Sequence, residues 1–213
     1  MSAAGRVVVV AGATSEAGLA VTRALVDAGA RVIATGRSTG RLEALRDAGA
    51  RAEVADATSL TAMTSLAATL GPVDGVIPLV GGWRGGGGLA GQSDADFAAL
   101  LPALEAVRTT SRAFDAALQA SDAGRFAIVS STAVARPLAG GANYAAVKAA
   151  SEAWARAVAQ GFAKSARESG EPLRAASVVF RAKALDAGAL AARIEALWDT
   201  EAADLNDQIF DLD

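Results

Sequence analysis

The chain has 213 residues, 52% hydrophobic and 20% charged, with a net charge of −3 and a pI of about 5.1. That length suits one folded domain over 1–213 with a buried core, and that balance excludes both a disordered chain and a polycation that tracks nucleic-acid phosphates. Cysteine and histidine are both absent, which excludes disulfides, thiolate nucleophiles, zinc–sulfur sites and a Ser-His-Asp hydrolase; no metal site is expected, and proton transfer falls to Asp, Glu, Lys or Tyr.

The first apolar run, "RVVVVAGA" (6–13), reads as a strand buried on both faces, followed by a glycine turn. It is too short for a signal peptide, and no stretch of 18 apolar residues follows, so no membrane span is expected. Residues 17–29 form a helix with Leu19, Val21, Leu25 and Val26 on its apolar side and Gly29 as its stop. "RVIATG" (31–36) is the second strand, 38–49 the second helix, "RAEVAD" (51–56) the third strand and 59–71 the third helix. "VDGVIPLVGG" (73–82) is the fourth strand, with Pro78 ill-suited to its interior. "GGWRGGGGLAGQ" (81–92) carries seven glycines in twelve residues. Such a stretch is expected to be mobile, either a plain linker or a lid beside a site. A long helix from 94 to 120, a strand at 124–132, a second long helix at 143–166, a strand at 173–180, a helix near 187–199 and a terminal strand at 207–213 complete the chain. This alternation predicts an α/β fold, a parallel sheet with helices on both faces.

The turn "AGATSEAGLA" (11–20) joins the first strand to the first helix. Gly12 and Gly18 flank the small residues Ala13, Thr14 and Ser15, which lets backbone N–H groups approach a pyrophosphate at a helix N-terminus. The same glycines also serve a tight turn that needs them for packing alone. Glu16 interrupts the turn. Facing a pyrophosphate at about 6 Å it would cost roughly 3 kcal/mol, whereas pointing to solvent it would suit the helix dipole. The second strand ends in "ATGRS" (34–38) without an acid, and Arg37 there suits a ribose 2′-phosphate, so NADP is expected over NAD; a solvated surface arginine is the other reading.

"NYAAVKAA" (143–150) contains the chain's one tyrosine and one of its three lysines. Four residues apart on a helix, Tyr144 and Lys148 share a face. An ammonium about 4 Å from a phenol favours the phenolate by roughly 4 kcal/mol at an effective dielectric near 20, before desolvation opposes it. Ser131, at the end of the fifth strand, can donate a hydrogen bond to a substrate oxygen.

With "GATSEAG" (12–18), "TGR" (35–37), "AD" (55–56), "VSS" (129–131) and "YAAVK" (144–148) in place, the chain resembles the short-chain dehydrogenase/reductase family over nearly all its length. The resemblance implies a Rossmann-type, doubly wound sheet of seven strands in the order 3-2-1-4-5-6-7. It implies that Tyr144 is the acid–base group, that Lys148 tunes the phenol and bonds the nicotinamide ribose, and that Ser131 orients the carbonyl. The implied cofactor site comprises Gly12, Thr14, Ser15, Ala17, Gly18, Arg37, Asp56, Ala57, Val80, Gly81, Tyr144 and Lys148, with Asp56 at the adenine ring and Gly81 near the adenine ribose. A homodimer or homotetramer through helices 94–120 and 143–166, and a cytoplasmic location, are also implied.

The chain departs from the family pattern at four places. Ala11 and Glu16 replace a threonine and the middle glycine of the turn. "PLVG" (78–81) replaces Asn-Asn-Ala-Gly. Ala103 or Leu104 stands where the family's catalytic asparagine falls. "FR" (180–181) replaces a Pro-Gly corner, and the long substrate loop beyond it is nearly absent, which would leave the nicotinamide side open to water. Two functions therefore follow: an NADP-dependent oxidoreductase acting on a small carbonyl/alcohol pair, or a non-catalytic dinucleotide-binding or scaffolding relative. Trp83 and Leu138 are candidates to line the pocket.

Overall fold

A computed structural model describes residues 2–212. Seven strands form one sheet: β1 (Val7–Ala11), β2 (Arg31–Gly36), β3 (Arg51–Val54), β4 (Gly75–Pro78), β5 (Arg125–Ser131), β6 (Ala176–Ala182) and β7 (Ile209–Asp211). Their order is β3-β2-β1-β4-β5-β6-β7, and every pairing is parallel. Between them run helices α1 (Glu16–Asp27), α2 (Thr39–Asp47), α3 (Leu60–Leu70), α4 (Asp94–Ala120), α5 (Ala142–Ser169), α6 (Ala187–Glu195) and α7 (Ala202–Leu205). This is the parallel sheet covered on both faces that the strand–helix alternation predicts, in the doubly wound, Rossmann-type strand order that the family resemblance implies.

The four consecutive valines of β1 illustrate why the sheet must be covered twice. Val8 and Val10 pack with Val21, Leu25, Leu190 and Trp198 on one face, while Val7 and Val9 pack with Met63, Phe114, Phe126 and Phe162 on the other. Side chains alternate across a strand, so an uninterrupted apolar run is stable only when both faces exclude water.

Several boundaries differ from the sequence reading. The first strand spans Val7–Ala11 rather than 6–13, and the third stops at Val54. The fourth strand stops at Pro78 rather than reaching 82. Its ladder to β5 holds only through Gly75↔Arg125 and Val76↔Phe126, because proline has no N–H to extend it. Helix α5 runs on to Ser169, where Gly170 takes a left-handed φ of 71° as its cap. The helix expected over 187–199 ends at Glu195 and tightens into a 3-10 turn, Ala196–Trp198. Among the described residues, no helix is long and apolar enough to cross a membrane.

One buried group is left unsatisfied among the described residues. The Thr22 hydroxyl on α1 is fully buried and lacks a hydrogen-bond partner. Thr22→Val keeps the shape and removes the desolvated hydroxyl, with little change in helix propensity. A gain of about 1 kcal/mol is expected, seen in thermal melts as a Tm higher by roughly 2–4 °C. An unchanged or lower Tm would show that the hydroxyl does find a partner.

Candidate active site

Strand order reverses between β1 and β4, and in open parallel sheets the crevice beyond the C-terminal strand ends at such a point is where ligands bind. A cleft of about 1280 Å³ lies there. Among the residues lining it are Ser15, Glu16 and Ala17 from the first turn, Val80 and Gly81 beyond β4, and Ser131, Tyr144 and Lys148. Its early opening owes much to Pro78, which releases the chain from β5 just where the cleft begins.

The first turn is built by packing before any ligand is considered. Gly12 has φ 76°, and a Cβ there would sit 2.5 Å from Val80 Cγ2. A Cβ on Gly18 would overlap the Ala13 carbonyl. The Ala13 N–H donates to the Thr35 carbonyl (2.8 Å) and the Gly12 N–H to the Thr35 hydroxyl (3.3 Å), so two N–H groups of the turn are committed to β2. Ser15 caps α1 by accepting from the Gly18 N–H at 3.1 Å. The N–H groups of Glu16 and Ala17, at the positive end of the helix, have no partner among the described residues and remain available to an anion. Glu16 is solvent-exposed in that first turn, and Thr14 packs against Gly36 at the end of β2.

Arg37, Asp56 and Ala57 stand at the ends of β2 and β3, outside the lining of the cleft. Arg37 is exposed. Asp56 accepts from both the N–H (2.9 Å) and the hydroxyl (2.8 Å) of Thr58. Burial pushes its carboxyl up, but those two bonds and the charge of Arg37 together outweigh burial and hold it below the usual range. Ala57 is buried, and its carbonyl accepts from the Thr109 hydroxyl of α4.

All three chemistry-bearing residues of the sequence line the cleft. Ser131 ends β5, and its oxygen accepts from the Ala133 N–H at 3.2 Å, which leaves its proton free to be donated. Tyr144 lies in the first turn of α5, half-buried among Leu100, Ala103 and Val147; among the described residues its hydroxyl makes no hydrogen bond. The Lys148 amine lies 5.8 Å from the Tyr144 ring centroid and donates to the Val129 carbonyl at 2.8 Å. Burial pulls this amine down to about 8, against the opposing charge of Glu152. Ala103 borders the same space: a Cβ on Gly81 would lie 3.9 Å from both the Ala103 methyl and the Lys148 amine.

Two features escaped the sequence reading. The glycine-rich stretch expected to be mobile is tied down by Gln92, whose amide donates to the carbonyls of Gly86 (3.0 Å), Gly88 (3.2 Å) and Gly140 (3.0 Å) and accepts from the Asn143 N–H (3.1 Å). The Gly86 N–H adds a bond to the Gly140 carbonyl at 2.7 Å. The loop is thereby pinned to the start of α5 and carries Trp83 to the cleft, where Leu138 and Leu185 also lie; all three are exposed. The second is a cluster behind Lys148 in which the buried Ser130 and Glu152 meet the partly exposed Arg181. Its sequence signal was the spacing Tyr144, Lys148, Glu152 along one helix face.

The sequence matches the short chain dehydrogenase family over residues 6–166. Among solved structures, it is similar to a putative betaketoacyl-ACP reductase, at 22% identity over 99% of this chain and 97% of that one, with a TM-score of 0.82. A short-chain type dehydrogenase/reductase from Mycobacterium ulcerans is similar at 17% identity, 99% and 89% coverage and a TM-score of 0.85. A metagenomic short-chain oxidoreductase in complex with NADP is similar at 25% identity, 98% and 98% coverage and a TM-score of 0.80. No curated protein matches the sequence.

Proposed function

The chain belongs to the short-chain dehydrogenase family, and from that premise we propose that it is an NADP-preferring reductase of small carbonyl compounds in which Tyr144 transfers the proton. The observation that carries this reading is the convergence of Ser131, Tyr144 and Lys148 on one cleft at the strand ends. The residues present fit a dinucleotide. The cleft is larger than a usual single-ligand pocket, the α1 N-terminus offers unpaired N–H groups to phosphate, and Arg37 stands exposed at the end of β2 for a 2′-phosphate. Bound there, the nicotinamide supplies the hydride.

The chain's own part is the proton. The Ser131 hydroxyl donates to the carbonyl oxygen and holds it beside Tyr144, whose hydroxyl gives up its proton as negative charge develops on that oxygen. The phenolate left behind is stabilised by the Lys148 ammonium. That ammonium is present below about 8 and is lost above it, so reduction is expected to fade on the alkaline side. Assembly as a dimer or tetramer through the outer faces of α4 and α5 belongs to the same reading.

Fluorescence titration with NADPH and NADH tests the proposal first, followed by turnover on a panel of ketones, aldehydes and alcohols. NADPH binding with turnover is expected. No binding of either nucleotide at millimolar concentration would overturn it, and binding without turnover would favour a non-catalytic relative, in keeping with an apolar residue, Ala103 or Leu104, where the resemblance implies an asparagine.

A further inference from the structure

Behind the cleft, charges alternate in sign along one line. Tyr144, Lys148 and Glu152 follow one another at four-residue spacing on the inner face of α5. Glu152 is 6% exposed. Its Oε1 accepts from the Ser130 hydroxyl (2.6 Å) and from Arg181 Nε (2.8 Å), and its Oε2 from Arg181 Nη2 (2.6 Å). Ser130 precedes Ser131 on β5, and Arg181 pairs in register with Ser130 on one side and with Asp211 of β7 on the other. The cluster therefore touches the strand that ends in Ser131 and lies one helical turn from Lys148. An ion pair with a buried carboxylate and a partly exposed guanidinium contributes little stability over apolar side chains of the same size; what it does supply is a fixed local field.

We propose that Glu152 is a positioning residue for the cleft: its carboxylate sets the charge on Lys148, and Arg181 fixes how much of that carboxylate's field reaches the amine. The use of that charge rests on the reading of Tyr144 and Lys148 as the acid–base pair. Glu152 opposes the downward pull of burial on Lys148. Neutralising it removes that support and leaves the Arg181 cation uncompensated behind the amine, so less of Lys148 is charged at neutral pH. Removing both charges together restores part of the loss. Among the described residues, the remaining charged or titratable groups facing this space are Tyr144 on the same helix, Arg136 after β5, Lys183 beyond β6 and Glu16 across the cleft, with Asp211 behind Arg181. From α4, apolar Ala103 faces it.

Only three lysines are present, so [ε-13C]lysine labelling gives three signals, and that of Lys148 is the one missing from Lys148→Arg. Its NMR titration midpoint is expected near 8 in the native protein, lowest in Glu152→Gln, and between the two in Glu152→Gln/Arg181→Met. A purely structural role predicts instead an unchanged midpoint in Glu152→Gln, or a double variant at or below the single one, and either result overturns the proposal. Should Glu152→Gln alone fail to fold, the double variant decides, because it replaces the pair with neutral side chains of similar length: a midpoint below the native one supports the proposal, and one at or above it overturns it. This titration needs neither cofactor nor turnover, so its failure is separate from failure of the enzymatic reading. Where turnover is present, the alkaline limb of kcat moves in the same order.

Discussion

Tyr144→Phe is expected to lower turnover by at least about 10²-fold and up to about 10⁴-fold, the range that positioned general acids contribute, while leaving NADPH affinity within about threefold. The two effects separate because the ring and the hydroxyl have different tasks. The ring packs against Leu100, Ala103 and Val147, and phenylalanine preserves that packing. Among the described residues the hydroxyl bonds to nothing, so removing it leaves no buried partner unsatisfied and costs little stability. Lys148 stays in place through its bond to the Val129 carbonyl, and the first turn is untouched. Steady-state kinetics, a fluorescence titration and a thermal melt on the same preparation check all three points. Turnover retained within about threefold would remove Tyr144 from the chemistry, and the acid would then have to be sought elsewhere on the cleft wall.

What the sequence disclosed, and what it hid, follows from the range of the interactions involved. The burial of β1 on both faces is written in four adjacent valines, and the Tyr144–Lys148 pair in one helical turn. Those patterns are local, so they were legible. The glycine turn was legible as a turn but ambiguous in purpose. The structure shows that Gly12 and Gly18 are demanded by Val80 and Ala13, contacts that would exist with or without a ligand. The tethers of the loop at 81–92 are not legible in composition, which reports backbone freedom and not the bonds that restrict it. Gln92 reaches Gly140 and Asn143 across about fifty residues, and no window of sequence contains such a bond. Glu152 and Arg181 lie 29 residues apart and meet only because β6 pairs beside β5. By the family resemblance, "FR" (180–181) marks the loss of a Pro-Gly corner, and the structure places both residues within β6. Read from sequence alone that was a loss, whereas in the structure Arg181 supplies the counter-charge of a buried carboxylate.

Arg37→Ala is expected to raise the dissociation constant of NADPH by about 10- to 100-fold and that of NADH by less than about threefold. The range follows from the roughly 1.5–3 kcal/mol of a hydrogen bond to a charged group, at 1.4 kcal/mol per decade of affinity. A 2′-phosphate is the only part of the dinucleotide that distinguishes the two cofactors, and it is charged where the alternative is a hydroxyl. Arg37 is exposed, and the nearby Asp56 carboxylate already spends one oxygen on two bonds from Thr58, so the guanidinium is not locked into an internal pair. Two controls follow from the same electrostatics. Arg37→Lys should retain part of the preference, because an ammonium keeps the charge but not the planar fork. NADPH affinity should also fall with added salt more steeply than NADH affinity in the native protein, and that difference should shrink in Arg37→Ala, since an exposed charge pair is screened at physiological ionic strength. Equal losses for the two nucleotides would mean that Arg37 is a solvated surface residue, and the preference for NADP would lose its physical basis.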